Sequence, residues 1–176
     1  MPEPSRRLFF ALSPPQDLSA QIELATRTQI EASGGRPIPS RNFHVTLVFV
    51  GEVPPSSVPA MLAAGTAVAS SPAFGLSFDR IDAWPESRVL VLRVAATPPE
   101  LLLLVERLRF SLLTQQINLK HQVYRPHLTL ARNLPHGRSS ERLQADAWAV
   151  KEYELMESTP TRGGSEYRTL ERWPLA

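Results

Sequence analysis

His44-Val45-Thr46-Leu47, within RNFHVTLVFVG, and His127-Leu128-Thr129-Leu130, within YRPHLTLARN, are two copies of one pattern whose reading decides the fold. Both lie in runs of Val, Leu, Phe and Thr, the residue types that favour strands. Side chains two apart in a strand share a face, so each His points the same way as its Thr, about 7 Å along. Val45 and Leu47 in one copy, and Leu128 and Leu130 in the other, then point into an apolar layer. Each copy therefore displays an imidazole and a hydroxyl on one sheet face and is anchored from behind. The expectation is that the two displays face each other across one site.

The repetition extends outward. A strand-like RLFFAL precedes Ser13-Pro14-Pro15-Gln16 and a helix carrying Leu18, Ile22 and Ala25. A strand-like RVLVLRV precedes Thr97-Pro98-Pro99-Glu100 and the helical LLLLVERLRFSLLTQQI. Ser13 and Thr97 are expected to cap these helices, with Pro at the first helical position and Gln16 or Glu100 closing a capping box. His44 follows Ser13 by 31 residues and His127 follows Thr97 by 30. Register kept to one residue over that distance points to duplication.

Between and after these blocks, Gly51 to Pro55 reads as a turn and Ser56 to Ala69 as a small-residue helix. Phe74 to Trp84 and Arg88 to Val94 read as strands around a Pro85-Glu86-Ser87 turn, Leu134 to Ala145 as loop with a short helix at most, and Trp148 to Met156 and Tyr167 to Trp173 as strands. The expected fold is α+β: two pseudo-twofold-related lobes, each an antiparallel sheet backed by helices, with a central groove. They form a single bilobal domain over 1–176 with intertwined repeats of roughly 7–84 and 88–173. A parallel βαβ sheet is the alternative, because long helices separate several strands. The hairpin-like 74–94 region and the strand-rich C-terminus favour α+β.

Two imidazoles on facing surfaces are the minimum equipment for acid–base catalysis near neutral pH, one giving a proton and one taking it. Phosphodiester hydrolysis suits such a pair, with attacking water and leaving oxygen on opposite sides of phosphorus. The Thr hydroxyls can donate to the non-bridging oxygens. A single His on a strand is more often structural. With 10 Thr and 24 Leu in 176 residues, however, x-Thr-Leu follows a given His by chance about 0.8% of the time. Two of four His matching is then an accident of a few in ten thousand. His121 and His136 are not repeated and read as loop residues. A metal site built from His44, His127 and a third His lacks any short-spaced ligand pair, and no metal or cofactor is expected.

Composition bounds the partners. Net charge is only +2, with a pI near 9.4, but positive residues gather near the motifs: Arg36 and Arg41 on one side, Lys120, Arg125, Arg132, Arg138 and Arg142 on the other. A phosphate would be attracted there. The chain has no cysteine, which excludes disulfides, thiol catalysis and cysteine-ligated metal. No apolar run approaches a membrane span, and LFFAL is too short for a signal-peptide core. A cytoplasmic monomer is expected, its groove completed within one chain. Phe49, Trp84 and Tyr167 can stack a base but fit core or rim packing better.

The paired HVTL and HLTL resemble the two HxTx signatures of the two-histidine phosphoesterase superfamily. RLFFAL, NFHVTLVFVGEV, RPHLTLAR and GGSEYRTLERWPL resemble its RNA 2',3'-cyclic phosphodiesterase branch, also called 2'-5' RNA ligase, from residue 7 to 175. The resemblance implies metal-independent hydrolysis of a 2',3'-cyclic phosphate at an RNA end to a 2'-phosphomonoester, with reversible 2'-5' ligation. It implies His44 as proton donor to the leaving 3'-oxygen, His127 as proton acceptor from water, and Thr46 and Thr129 as phosphate ligands. Arg132, two residues past the second motif, matches an Arg that often follows it and is expected as a further phosphate ligand. The residues alone leave other substrates open: small cyclic nucleotides, 2'-5' oligonucleotides, or binding of RNA without turnover. The near-symmetric motifs do not by themselves choose donor from acceptor.

Overall fold

The computed structural model describes residues 4–135, 140–143 and 147–176. His136 and Arg138 lie outside them. In chain order the elements are β1 (Arg6–Leu12), α1 (Gln16–Ala32), β2 (Arg36–Pro37), β3 (Val45–Val53), α2 (Val58–Thr66), β4 (Phe74–Leu76), β5 (Phe78–Trp84), β6 (Val89–Val94), α3 (Pro99–Thr114), β7 (His127–Arg132), β8 (Ser140–Arg142), β9 (Trp148–Val150), β10 (Glu152–Thr161) and β11 (Gly164–Pro174).

The main sheet runs β11-β10-β1-β3-β7-β6-β5-β8, with the short β2 beside β7, while β4 and β9 pair separately. The pairings throughout are antiparallel, so the fold is α+β and the parallel alternative falls. Outward from the central β3–β7 junction stand β1 and β6, then β10 and β5, then β11 and β8. The unit β1-α1-β3 thus mirrors β6-α3-β7. The chain also crosses over: β5 joins the half-sheet of the second motif, and β10 and β11 complete that of the first. The helices cross too, α1 packing against β7 and α3 against β3.

Strand alternation sets the core. Val45, Leu47, Leu128 and Leu130 are essentially inaccessible and join one apolar cluster with Ile22 of α1 and Leu101, Leu104, Leu108 and Leu112 of α3. Truncating Leu104 to Ala in such a layer costs about 2–5 kcal/mol. The small-residue helix α2 packs as closely as expected. A Cβ on Gly65 would sit 2.5 Å from the Trp173 ring, and the Tyr153 hydroxyl donates to the Gly65 carbonyl at 2.7 Å.

Several expectations need correcting. Neither Ser13 nor Thr97 caps its helix: the N-caps are Pro15 and Pro98, with no side-chain cap bond. The Pro-Pro steps carry the chain past both residues in extended backbone, and the helices begin at Gln16 and Pro99. The Ser13 hydroxyl is spent on Glu154 instead. Gly51, at φ +94°, is not in a turn but beside a register shift between β1 and β3, and β3 continues to Val53. Within the 134–145 stretch, Ser140–Arg142 is strand, paired with β5; residues 136–139 and 144–145 lie outside those described.

Candidate active site

β3 and β7 meet through one opposed pair, Val45 with Leu128, both fully buried. Neighbouring side chains point to the other face, so His44, Thr46, His127 and Thr129 share it. The antiparallel register sets Thr46 beside His127 and His44 beside Thr129. The two displays are therefore brought together diagonally, each imidazole next to the other motif's hydroxyl.

Each ring is held the same way. Nδ1–H of His44 donates to the Asn42 carbonyl at 2.8 Å, and Nδ1–H of His127 donates to the Arg125 carbonyl at 2.6 Å. A carbonyl can only accept, so both Nδ1 atoms carry hydrogen and Nε2 is the nitrogen that remains to exchange a proton. The carbonyl two residues upstream of His44 is within reach across Phe43, which is extended, and Pro126 holds the equivalent place before His127.

Two adjoining cavities open on this face. One, of about 430 Å³, is lined by His127, Thr46, Trp84, Arg125 and Lys120 among others. The other, of about 290 Å³, is lined by His44, Thr46, Phe9, Tyr167 and Ser158 among others. Arg7, Thr46, Phe49 and Arg132 line both. Thr129 is half-buried on the shared face and lines neither.

Surroundings separate the two rings. The His44 ring centroid lies 5.1 Å from those of both Phe9 and Tyr167. That of His127 lies 4.5 Å from Trp84. Trp84 and Tyr167 thus pack on the imidazoles. Phe49 stays 41% exposed, with the Arg7 guanidinium 5.1 Å above its ring. Burial pushes His44 down to about 4, helped by positive charge at Arg132 and His127 and opposed by the Asn42 carbonyl and Glu154. Burial also lowers His127, against the pull of the Arg125 carbonyl, and Arg132 lowers it further. Arg132 therefore stands where it acts on both rings.

Sequence reading missed two contributors. Arg7 sits on β1, whose partner strands β3 and β10 only the sheet order reveals. Glu154, 3% exposed, accepts from Ser13, from Thr169 at 2.7 Å and from Arg172 at 3.2 Å. Ala11 pairs with Thr46 on one side and Glu154 on the other, so one small residue separates this buried carboxylate from the site. A charged residue in the buried run of β10 was its only signal. Among the described residues no group of three or more His, Asp or Glu converges to hold a metal ion, and no helix is long and apolar enough to cross a membrane.

Paired imidazoles with clamped Nδ1 atoms, neighbouring hydroxyls and guanidinium groups around a groove, on an α+β scaffold, are an arrangement that can hold a phosphoester and move protons to and from it. The comparisons narrow that chemistry. Residues 12–91 match the model of the LigT like Phosphoesterase family. The chain is 33% identical over 182 residues to the RNA 2',3'-cyclic phosphodiesterase of Escherichia coli strain K12, covering 99% of both. It is 30% identical to the enzyme of that name from Thermus thermophilus, covering 96% of this chain and 90% of that one. The crystal structure of E. coli LigT complexed with 3'-AMP superposes with a TM-score of 0.86 at 31% identity, covering 98% of this chain and 99% of the other. The chain belongs to the LigT-like phosphoesterase family.

Proposed function

We propose that this chain hydrolyses RNA 2',3'-cyclic phosphate ends to 2'-phosphomonoesters by acid–base catalysis between His127 and His44. The carrying observation is that both imidazoles are clamped through Nδ1, with Nε2 of each unpartnered among the described residues and beside cavities that share Arg132. Two relatives named RNA 2',3'-cyclic phosphodiesterase, matched over 90% or more of both chains, support the substrate. The cyclic phosphate sits between the rings, its non-bridging oxygens accepting from the Thr46 and Thr129 hydroxyls and from Arg132. Water attacks phosphorus and gives its proton to Nε2 of His127. The P–O3' bond breaks opposite, and O3' takes the proton from Nε2 of His44.

With His44 near 4 in the free site, its charged form is scarce at neutral pH. The substrate's own negative charge restores it, so binding takes up a proton. We read the chain as one bilobal unit working as a cytoplasmic monomer, since residues of both motifs line a single groove. Incubation of the protein with a 2',3'-cyclic-ended oligonucleotide in EDTA should yield only 2'-phosphate product. Loss of activity on chelation, or a 3'-phosphate product, would sink the reading.

The size of the His127-side cavity favours a second activity of the same site. Its roughly 430 Å³, with Trp84, Lys120 and Arg125, exceeds what one attacking water needs. A 5'-hydroxyl of a second RNA there would attack the same phosphorus and form a 2'-5' bond. Mixing cyclic-ended and 5'-hydroxyl oligonucleotides should give a minor ligated product beside the hydrolysed one. No ligated product even with concentrated acceptor would remove that activity.

A further inference from the structure

Beyond the His44 cavity, and sharing Arg132, Ser165 and Tyr167 with it, lies a third cavity of about 240 Å³. Arg36 and Arg41 line it on one wall and the β10–β11 hairpin forms the other. Arg36 stands directly opposite Arg132 in the β2–β7 pair, and like charges so placed destabilise a sheet unless an anion joins them. Among the described residues none of these three guanidinium groups has a carboxylate within salt-bridge distance. Glu166 is the single acid lining the cavity among the described residues.

The walls are fixed before any ligand arrives. Asn42 Nδ2 donates to the Ser165 carbonyl at 3.1 Å, tying the arginine wall to the hairpin. The amide of Ile38 donates to the Leu130 carbonyl at 2.8 Å. Gly164, at φ +139°, has a backbone conformation that a side chain would strain, and a Cβ there would meet the Arg36 guanidinium at 3.5 Å. The fork of Arg36 therefore lies against bare backbone, its donors open to the cavity.

We propose that this cavity binds a second phosphate, the one on the 5'-oxygen of the nucleotide whose cyclic phosphate lies between the histidines. This rests on His44 serving as proton donor to O3'. In-line displacement puts the leaving O3', and with it the terminal ribose, on the His44 side of phosphorus. The 5'-oxygen continues from that ribose on the same side, where the next cavity is the one that Arg36 and Arg41 line. The site then selects substrates by a phosphate it does not cleave.

The test is equilibrium binding of unreactive product analogues, measured by titration calorimetry. The three ligands are adenosine 2'-phosphate, adenosine 5',2'-bisphosphate, and the dinucleotide ApA ending in 2'-phosphate. Wild type should bind both doubly phosphorylated ligands roughly tenfold or more tightly than the monophosphate. The R36A/R41A double variant should lose that excess and keep its affinity for adenosine 2'-phosphate. Arg41→Glu alone, in a segment outside the sheet, should show the same loss and exclude a folding defect. A gain confined to the bisphosphate assigns the site to free nucleotides, and a gain for the dinucleotide as well assigns it to an RNA chain. Equal wild-type affinities, or equal weakening of all three ligands in the variants, overturn the proposal. Failure to turn over any cyclic end would strike the catalytic reading while leaving this binding result to stand.

Discussion

The two motif regions share a sequence pattern and a backbone clamp, yet they occupy different surroundings. Around His44 the protein closes in, with Phe9 and Tyr167 on the ring, Glu154 behind Ala11, and an affinity for protons reduced to about 4. Around His127 the groove is wider, with Trp84 on the ring and Lys120 and Arg125 at the cavity wall. Common to both are a strand–helix–strand unit, Nδ1–H donating to the carbonyl two residues back, and Thr on the same face as His. The crossing of β5, β10 and β11 explains what differs, because each half-sheet is finished by non-equivalent strands. Symmetry supplies two imidazoles in one tautomer, and asymmetry gives them different surroundings, the basis on which we propose separate duties for them.

The largest expected effect removes one imidazole at a time. His44→Ala and His127→Ala should each lower kcat by about 10²–10⁴ on a cyclic-ended oligonucleotide, the usual worth of a positioned acid or base. If the duties differ, a substrate whose leaving oxygen needs no proton should rescue the His44 variant and leave the His127 variant impaired. Equal rescue of both would show that the surroundings assign no roles.

Burial of His44 also reaches stability. Its folded value near 4 against about 6.5 in the unfolded chain means that the unfolded state binds more protons between those pH values. Stability is therefore full above about pH 6.5 and falls by about 3 kcal/mol as the pH drops through 4. Denaturant titrations across pH 4–7 should show this slope flattened in His44→Gln. His127→Gln, losing a less enclosed group, should flatten it less.

Arg132 tests what the halves share. Arg132→Ala should weaken transition-state binding by about 2 kcal/mol, roughly thirtyfold in kcat/KM, because a charged donor to phosphate is lost. Both imidazoles should also titrate at higher pH, since the same guanidinium lowers each. Chemical-shift titration of the two rings reads this directly. A shift in one ring alone would place Arg132 in one half.

Much of this was legible in the sequence because it follows from strand periodicity. Alternation alone puts His44 with Thr46, and His127 with Thr129, on one face each, and the 31- and 30-residue offsets point to a second copy of one unit. That the two pairs share a face follows from Val45 opposing Leu128. Capping was misread because Ser-Pro-Pro-Gln meets every local rule for a cap, and the tertiary partner that claims Ser13, Glu154, lies 141 residues away. Arg7 and Glu154 were missed for the same reason. Their places in the site depend on β1 pairing with β3 and with β10, long-range choices that no local pattern encodes.

The smallest effect examines the symmetry most closely. Both Thr hydroxyls follow from the repeat, yet Thr46 lines both cavities and Thr129 lines neither. The reason is where each strand sits. Thr46 neighbours Ala11 on β1, and so small a partner leaves room above the hydroxyl. Thr129 neighbours Val91 on β6, a fully buried and bulkier partner than Ala11. Thr46→Ala should therefore lower kcat/KM about tenfold, the loss of one hydrogen bond to a charged oxygen. Thr129→Ala should lower it less, about threefold. Val91→Ala in the wild-type background should narrow that gap by opening the space beside Thr129. Equal losses at Thr46 and Thr129, unaffected by Val91→Ala, would mean that bound phosphate restores the symmetry that the two flanking residues remove.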